Sequence, residues 1–294
     1  MVPSPFGKMT KVDQFESVFR SAARTVFEPK PVEIGSVLVV CDADGSDAEE
    51  FMARSHSFLG VLDESENLRW VTVPGSEFST VPELLERVEA ERPGLICTHR
   101  HLHSESWQWP YTLGEYLDVL TQATTTPVLV MPHPKRPEFK ELAGRRPHSV
   151  MAMTDHLTGD HRLVNYAAHV TQREGRLLLG HVEDDAVFDR YMEAISKIPT
   201  IDTEGARGEI RARLLKDPQD YIDSCRKGLA RSMPGLSVEA VVTAGHHIQV
   251  YRRLVEEHEV DLLVMNTKDE DQLAMHGLAY SLAIELRAIP LLML

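Results

Sequence analysis

SVLVVCDADGSD, residues 36–47, decides how the chain reads: an unbroken apolar run ends in Asp42 and gives way at once to a turn of Gly, Ser and Asp. A strand covered on both faces is apolar at every position, whereas a strand with one wet face alternates. This run is therefore expected as a central parallel strand. The pattern returns in HSVMAMTD, residues 148–155, which ends in Asp155. GLICTH (94–99) likewise matches DLLVMN (261–266). Gly114 stands thirteen residues before Pro127, and Gly277 thirteen before Pro290; each proline opens a last apolar strand, PVLVMP or PLLML. Internal repetition on this scale decides the architecture. The chain reads as two copies of one α/β fold, the first shorter by roughly one βα unit.

Working outward, strand and helix patterns alternate, as βαβ units with a parallel sheet require. In the first copy helices are expected over 47–62, 82–91 and 113–123, with LRWVTVPG (68–75) as a further strand. In the second, helices are expected over 160–174, 246–259 and 278–287, with strands RLLLGHV (176–182) and LSVEAVVTAG (236–245). The domain plan has a helical extension over 1–35, a truncated domain over 36–134, a polar, proline-rich linker over 135–148, and a fuller domain over 149–294. A charged, helix-rich excursion occupies 185–233. The extension carries an amphipathic stretch from Val12 to Phe27, whose apolar face of Phe15, Phe19 and Val26 suggests a contact within a homodimer.

These residues resemble the universal stress protein family, and the tandem layout resembles its two-domain members. The match is clearest in Asp155, LLLGHV with His181 and Val182, VVTAG, DLLVMNT and the closing RAIPLLML. The resemblance implies a Rossmann-like, adenine nucleotide alpha hydrolase-like sheet of order 3-2-1-4-5, with a nucleotide at the carboxyl ends of the strands. It implies ATP, AMP or adenosine as ligand. Asp155, Val182, Gly245, Asn266, Thr267 and Gly277 are the positions that would hold it. PVLVMP and PLLML are apolar and flat enough to need covering, so the two copies are expected to pack through them as a pseudo-dimer within one chain.

ATP-binding members carry Gly-x-x-Gly, nine residues, then Gly-Ser or Gly-Thr, because glycines let backbone N–H groups approach the phosphates. In the second copy Asn266 and Asp269 stand at the two glycine positions, and Leu278 follows Gly277 where a hydroxyl belongs. Asp269, Glu270 and Asp271 set three carboxylates where phosphates would go. In the first copy His99, Leu102 and Glu115 make the corresponding replacements, and Trp107, Trp109, Pro110 and Tyr111 fill the loop between.

Three further features bear on function. His99, His101 and His103 alternate in THRHLHSE, so an extended segment would point all three to one side as metal ligands, with His133 within reach. Cys41 and Cys97 lie on strands expected to be neighbours; they and Cys225 form no CxxC spacing and read as buried thiols in a reducing compartment. His246 and His247 follow Gly245 at an expected helix start. No nucleophile elbow, HExxH or P-loop is present.

The formal net charge of the 294 residues is -14, which disfavours nucleic acid and anionic membrane. No apolar run reaches a membrane span, and the N-terminus lacks a signal core. The sequence thus points to a cytoplasmic, non-catalytic stress-response or regulatory protein with weak or lost nucleotide binding and an unknown protein partner. The alternatives are an adenine-nucleotide sensor, a metal-binding module or a slow ATP hydrolase.

Overall fold

A computed structural model describes residues 25–64, 68–109, 111–154, 157–267 and 277–294. The amphipathic stretch expected before residue 25 and the candidate Asp155 lie outside the described residues.

The first half of the chain forms β1 (Ser36–Val40), α1 (Gly45–Phe58), β2 (Arg69–Val73), α2 (Val81–Glu91), β3 (Leu95–His99), α3 (Glu115–Ala123) and β4 (Val128–Met131). A short helix α4 (Pro137–Glu141) follows. The second half forms β5 (Ser149–Thr154), α5 (His161–Val170), β6 (Arg176–Asp184), α6 (Asp185–Ser196), α7 (Thr203–Ser232), β7 (Ser237–Gly245), α8 (His247–Glu257), β8 (Leu262–Met265), α9 (Gly277–Glu285) and β9 (Leu291–Met293).

All nine strands join one sheet in the order β2-β1-β3-β4-β9-β8-β5-β6-β7. Counted within the second half, β7-β6-β5-β8-β9 is the order 3-2-1-4-5. The first half, β2-β1-β3-β4, is the same order without its third strand. That strand is an outer edge in the second half, so its loss from the first leaves every remaining pairing intact. Neighbours run parallel within each half, and β4 meets β9 antiparallel, with Val128 opposite Met293, Leu129 opposite Leu292 and Val130 opposite Leu291.

Period-two alternation divides each strand between two apolar layers. On β1, Val37 and Val39 face the layer that holds Phe51, Phe58, Tyr221 and Cys225. Leu38 and Val40 face the layer that holds Phe78, Leu84, Tyr116 and Tyr251. This double burial is why the strands read as continuous apolar runs.

Two connecting segments are more firmly seated than their composition suggests. In the proline-rich stretch 135–148, Phe139 of α4 is buried and stacks on Phe51 at 5.5 Å. Arg54 of α1 donates to the carbonyls of Phe139 and Lys140 at 3.1 and 2.9 Å. At the other end, Phe27 is buried beside Tyr221 and His161, its N–H donating to Ser224 Oγ at 2.9 Å. The Lys30 N–H reaches Asn165 Oδ1 at 3.0 Å. The chain therefore crosses α5 and α7 of the second half before it enters β1.

The excursion splits by face. Tyr221, Ile222, Cys225 and Leu229 of α7 are buried against the sheet. The turns before them carry exposed pairs, Arg213 with Asp217 and Lys216 with Asp220, while Arg211 ties α7 back to Asp185 of α6. Among the described residues no helix is long and apolar enough to cross a membrane.

Candidate functional site

In open α/β sheets, ligands collect at the carboxyl ends of the strands, and each half has such an end. In the first, β1 delivers Asp42, β3 delivers His99, and the segment after β4 delivers His133. His99 is fully buried, and its Nε2 lies 3.1 Å from Asp42 Oδ1, ion-pair range although off the direction of a good hydrogen bond. Its Nδ1 lies 2.9 Å from the Arg100 carbonyl. Both ring nitrogens thus lie near oxygen atoms. Asp42 Oδ2 also accepts the His103 N–H at 3.0 Å. Burial alone would raise the Asp42 pKa, but His99 and the His103 N–H outweigh it and hold it down at about 2.

His133 sits edge to face with His99 at 4.9 Å, and Trp107 stacks on its other side at 5.0 Å. The Lys135 N–H donates to His133 Nδ1 at 3.2 Å, which fixes the neutral tautomer with its proton on Nε2. Burial, then the neighbouring His99, push the His133 pKa down to about 3. The group is an Asp42–His99 contact capped by the neutral His133 imidazole and the Trp107 indole.

The alternating histidines do not converge. The chain leaves the sheet after His99 and turns, with His101 at φ 59° and His103 at φ 54°. A Cβ on Gly114 would fall 2.8 Å from the His101 backbone, so the turn closes against a residue that has to be glycine. His99 points to the Phe51 side of the sheet, whereas His103 packs on Phe78 at 4.7 Å and Tyr116 at 5.6 Å on the other. Among the described residues no group of three His, Cys, Asp or Glu is placed to hold a metal ion. The expectation of one-sided ligands fails because it assumed an extended segment.

Cys41 and Cys97 do lie on neighbouring strands, where β1 pairs with β3, and both are free and buried. Burial pushes their thiols up to about 11 and about 12, so neither is a thiolate near neutral pH.

In the second half, Asn266 and Thr267 follow β8, and both are occupied within the chain. Asn266 Nδ2 donates to Asp160, which also caps α5 by accepting the Leu163 N–H at 2.9 Å. Thr267 is buried; its N–H and hydroxyl both donate to the Leu294 carbonyl, at 3.1 and 2.9 Å. Tyr251, on α8 and fully buried, sends its hydroxyl to the Thr154 carbonyl at 3.2 Å. Between Met153, Thr154, Tyr251, Met265, Asn266 and Leu278 the remaining cavity is about 10 Å³. That is room for about one water molecule.

Val182 and Gly245 lie on β6 and β7, away from this gap. The Val182 carbonyl accepts from His247 Nε2 at 2.7 Å, and His247 Nδ1 stands 3.7 Å from Asp184. Asp184 in turn caps α6, accepting the N–H groups of Ala186 and Val187. Gly245, at φ 151°, ends β7 where a Cβ would meet Val250 at 2.8 Å. Gly277 is exposed at the start of α9. The candidate positions therefore fall into separate groups with their polar atoms largely spent on one another.

Two residues that organise these ends carry no motif. Tyr251 sits in a helix whose pattern marks it only as apolar. Arg100 follows an apolar strand, yet it is buried and donates through Nη2 to the Ala283 and Leu286 carbonyls at 2.7 and 3.0 Å. It thereby caps α9 of the other half.

No family model matches the chain, and no curated protein matches it. Among solved structures, the chain is similar to a protein from Pseudomonas aeruginosa UCBPP-PA14 named as a universal stress protein. The TM-score is 0.52 at 15% identity, covering 89% of this chain and 93% of that one. It is similar to a functionally unknown protein from Pseudomonas aeruginosa PAO1 to the same degree, with TM-score 0.51 and 15% identity over 89% of this chain and 92% of the other. Identity this low speaks to fold alone. The chain has the α/β fold of tandem universal-stress-type structures, a large, mostly parallel sheet with a shortened first half.

Proposed function

We propose that this protein is a non-catalytic, cytoplasmic regulatory or stress-response protein of the universal stress type, and that it works without a bound adenine nucleotide. The observation that carries this reading is the filled space between the carboxyl ends of β5 and β8. A nucleoside needs a cleft of hundreds of cubic ångströms; among the described residues about 10 Å³ remains there. Opening it would require displacing Tyr251 from a fully buried position and breaking the Asn266–Asp160 and Thr267–Leu294 hydrogen bonds. The replaced glycines at 266 and 269 and the carboxylates at 269–271 agree with that reading, since like charges there repel phosphates.

On this reading the two halves act as a pseudo-dimer scaffold for a protein partner. Trp109 and Tyr111, 60% and 73% exposed, stand on the loop that replaces the phosphate motif of the first half.

Thermal unfolding with and without millimolar ATP, AMP and adenosine tests the proposal. The expected result is an unchanged midpoint. A ligand present at a hundred times its Kd would add about 2.7 kcal/mol, a rise on the order of 5 °C. A rise of that size, removed by Tyr251→Trp or Asp155→Ala, would overturn the proposal in favour of a nucleotide sensor.

A further inference from the structure

β2 and β7 are the outer strands of the sheet, and the two edges are built differently. β2 is five residues long. Arg69 there pairs with Glu91 at 2.7 Å, and Trp70 packs on His56 at 4.6 Å and donates to Asp63 at 3.1 Å. A short strand hung with charged and bulky side chains resists further pairing. β7 runs for nine residues in unbroken register with β6. It contains no proline, lysine or bulge, and its one charge, Glu239, stands near its start beside Arg176 at 4.0 Å. The stretch AVVTA, residues 240–244, is uncharged throughout.

The ladder fixes which backbone groups face outward. In a parallel strand the N–H and C=O of one residue point to the same neighbour, and those of the next residue to the other side. The Ser237 N–H donates to the Gly175 carbonyl at 3.0 Å, so the odd-numbered residues of β7 bond β6. Val238, Ala240, Val242 and Ala244 turn their backbone groups outward. Arg226 Nε of α7 takes the Val238 carbonyl at 3.0 Å. Among the described residues nothing takes the backbone groups of Ala240, Val242 and Ala244. Residues 239–245 are all part-exposed, whereas 177–182 of β6 are buried.

We propose that β7 pairs antiparallel with β7 of a second copy of this chain, on a two-fold axis through Val242. The open edge is complementary to itself. Arg226 closes position 238, so the three open residues centre on Val242. About that axis Ala240 meets Ala244, Val242 meets its own copy, and Val241 meets Thr243 on the other face of the sheet. Each open N–H then finds a carbonyl. Glu239 falls opposite Gly245, which has no side chain, so no like charges meet across the strands although each copy carries a net charge of -14. The chain already joins its own halves in this way, by antiparallel pairing of β4 with β9. A two-fold axis also closes the assembly at two copies, with no edge-to-edge growth beyond them.

Sedimentation of the full chain from micromolar to sub-millimolar concentration tests the proposal. The expected species has twice the mass of the chain. Ala244→Pro removes an outward N–H and leaves the β6 ladder intact, a change that edge strands tolerate. It deletes two hydrogen bonds per dimer, so it should weaken association by about tenfold or more while the unfolding midpoint barely moves. Oxidation reads the register. Cα atoms of a hydrogen-bonded antiparallel pair lie about 5.5 Å apart, within the span of a disulfide. Val242→Cys should therefore give a disulfide-linked dimer. Ala240→Cys, about 14 Å along the strands from its own copy, should not. The three native thiols are buried and leave this readout clear. Should Ala244→Pro fail to fold, the two cysteine variants decide. A chain that stays monomeric, a dimer that Ala244→Pro leaves at full strength, or linkage through Ala240→Cys in place of Val242→Cys would overturn the proposal.

Discussion

Acid should loosen this protein through His133. In the folded chain the His133 imidazole is packed between Trp107 and His99, accepts the Lys135 N–H, and has its pKa pushed down to about 3. In the unfolded chain the same imidazole titrates near 6.5. Between those values the unfolded state binds one proton more than the folded state, so stability is full above about pH 6.5 and falls as pH drops toward 3. One proton corresponds to at most about 1.4 kcal/mol per pH unit. Solvent at the rim of the site reduces this, leaving about 1–2 kcal/mol lost between pH 6.5 and pH 5. His101 and His169, both lowered by burial, add in the same direction. Urea unfolding of the wild type and His133→Gln at pH 7, 6 and 5 separates the contributions. The variant should be less stable at pH 7 but lose distinctly less stability on acidification. Equal pH slopes for the two proteins would refute the account of His133 as a neutral, buried ring.

Arg100→Met should destabilise the chain by about 2–4 kcal/mol, since two carbonyls at the end of α9 lose charged donors while Met keeps most of the stem. Hydrogen exchange should quicken first in Gly277–Glu285, and unchanged protection there would argue against the clasp. Thiol labelling at pH 8 should leave Cys41, Cys97 and Cys225 unmodified in the folded protein and reach all three in denaturant, because each is buried with its pKa pushed up to about 11 or 12; rapid native labelling of Cys41 or Cys97 would refute that burial.

The strands were legible because each is buried on both faces, and double burial writes itself as an uninterrupted apolar run such as Val37–Cys41 or Leu262–Met265. The repeat was legible because Asp42 and Asp155, then Gly114 and Gly277, keep their spacing to the same strands. Side-chain direction past a strand end was not. His99 and His103 alternate on paper, but left-handed residues at 101 and 103, φ 59° and 54°, accompany rings on opposite sides of the sheet. The proline-rich stretch 135–148 looked like a tether because its composition hides one residue, Phe139, that stacks on Phe51. Arg100 was invisible for the opposite reason: a charged residue after a strand reads as solvent-facing unless its acceptors, here 183 and 186 positions away, are known.

The same physics links the altered motif to the closed gap. Glycines at a phosphate loop keep backbone N–H groups free and leave space for the ligand. Once position 266 is asparagine, its amide needs a partner, and Asp160 supplies one from the cap of α5. On the proposed reading no nucleoside occupies the strand ends, and burying Tyr251 there is favourable, worth roughly 1.5–3 kcal/mol for a side chain of this size. Its hydroxyl then takes the Thr154 carbonyl. Asn266→Gly alone is therefore expected to leave the gap closed, because Tyr251 would still fill the space and Thr267 would still hold Leu294. On the same reading, a nucleoside would enter only once the gap is emptied, at the cost of the stability that filling it supplies.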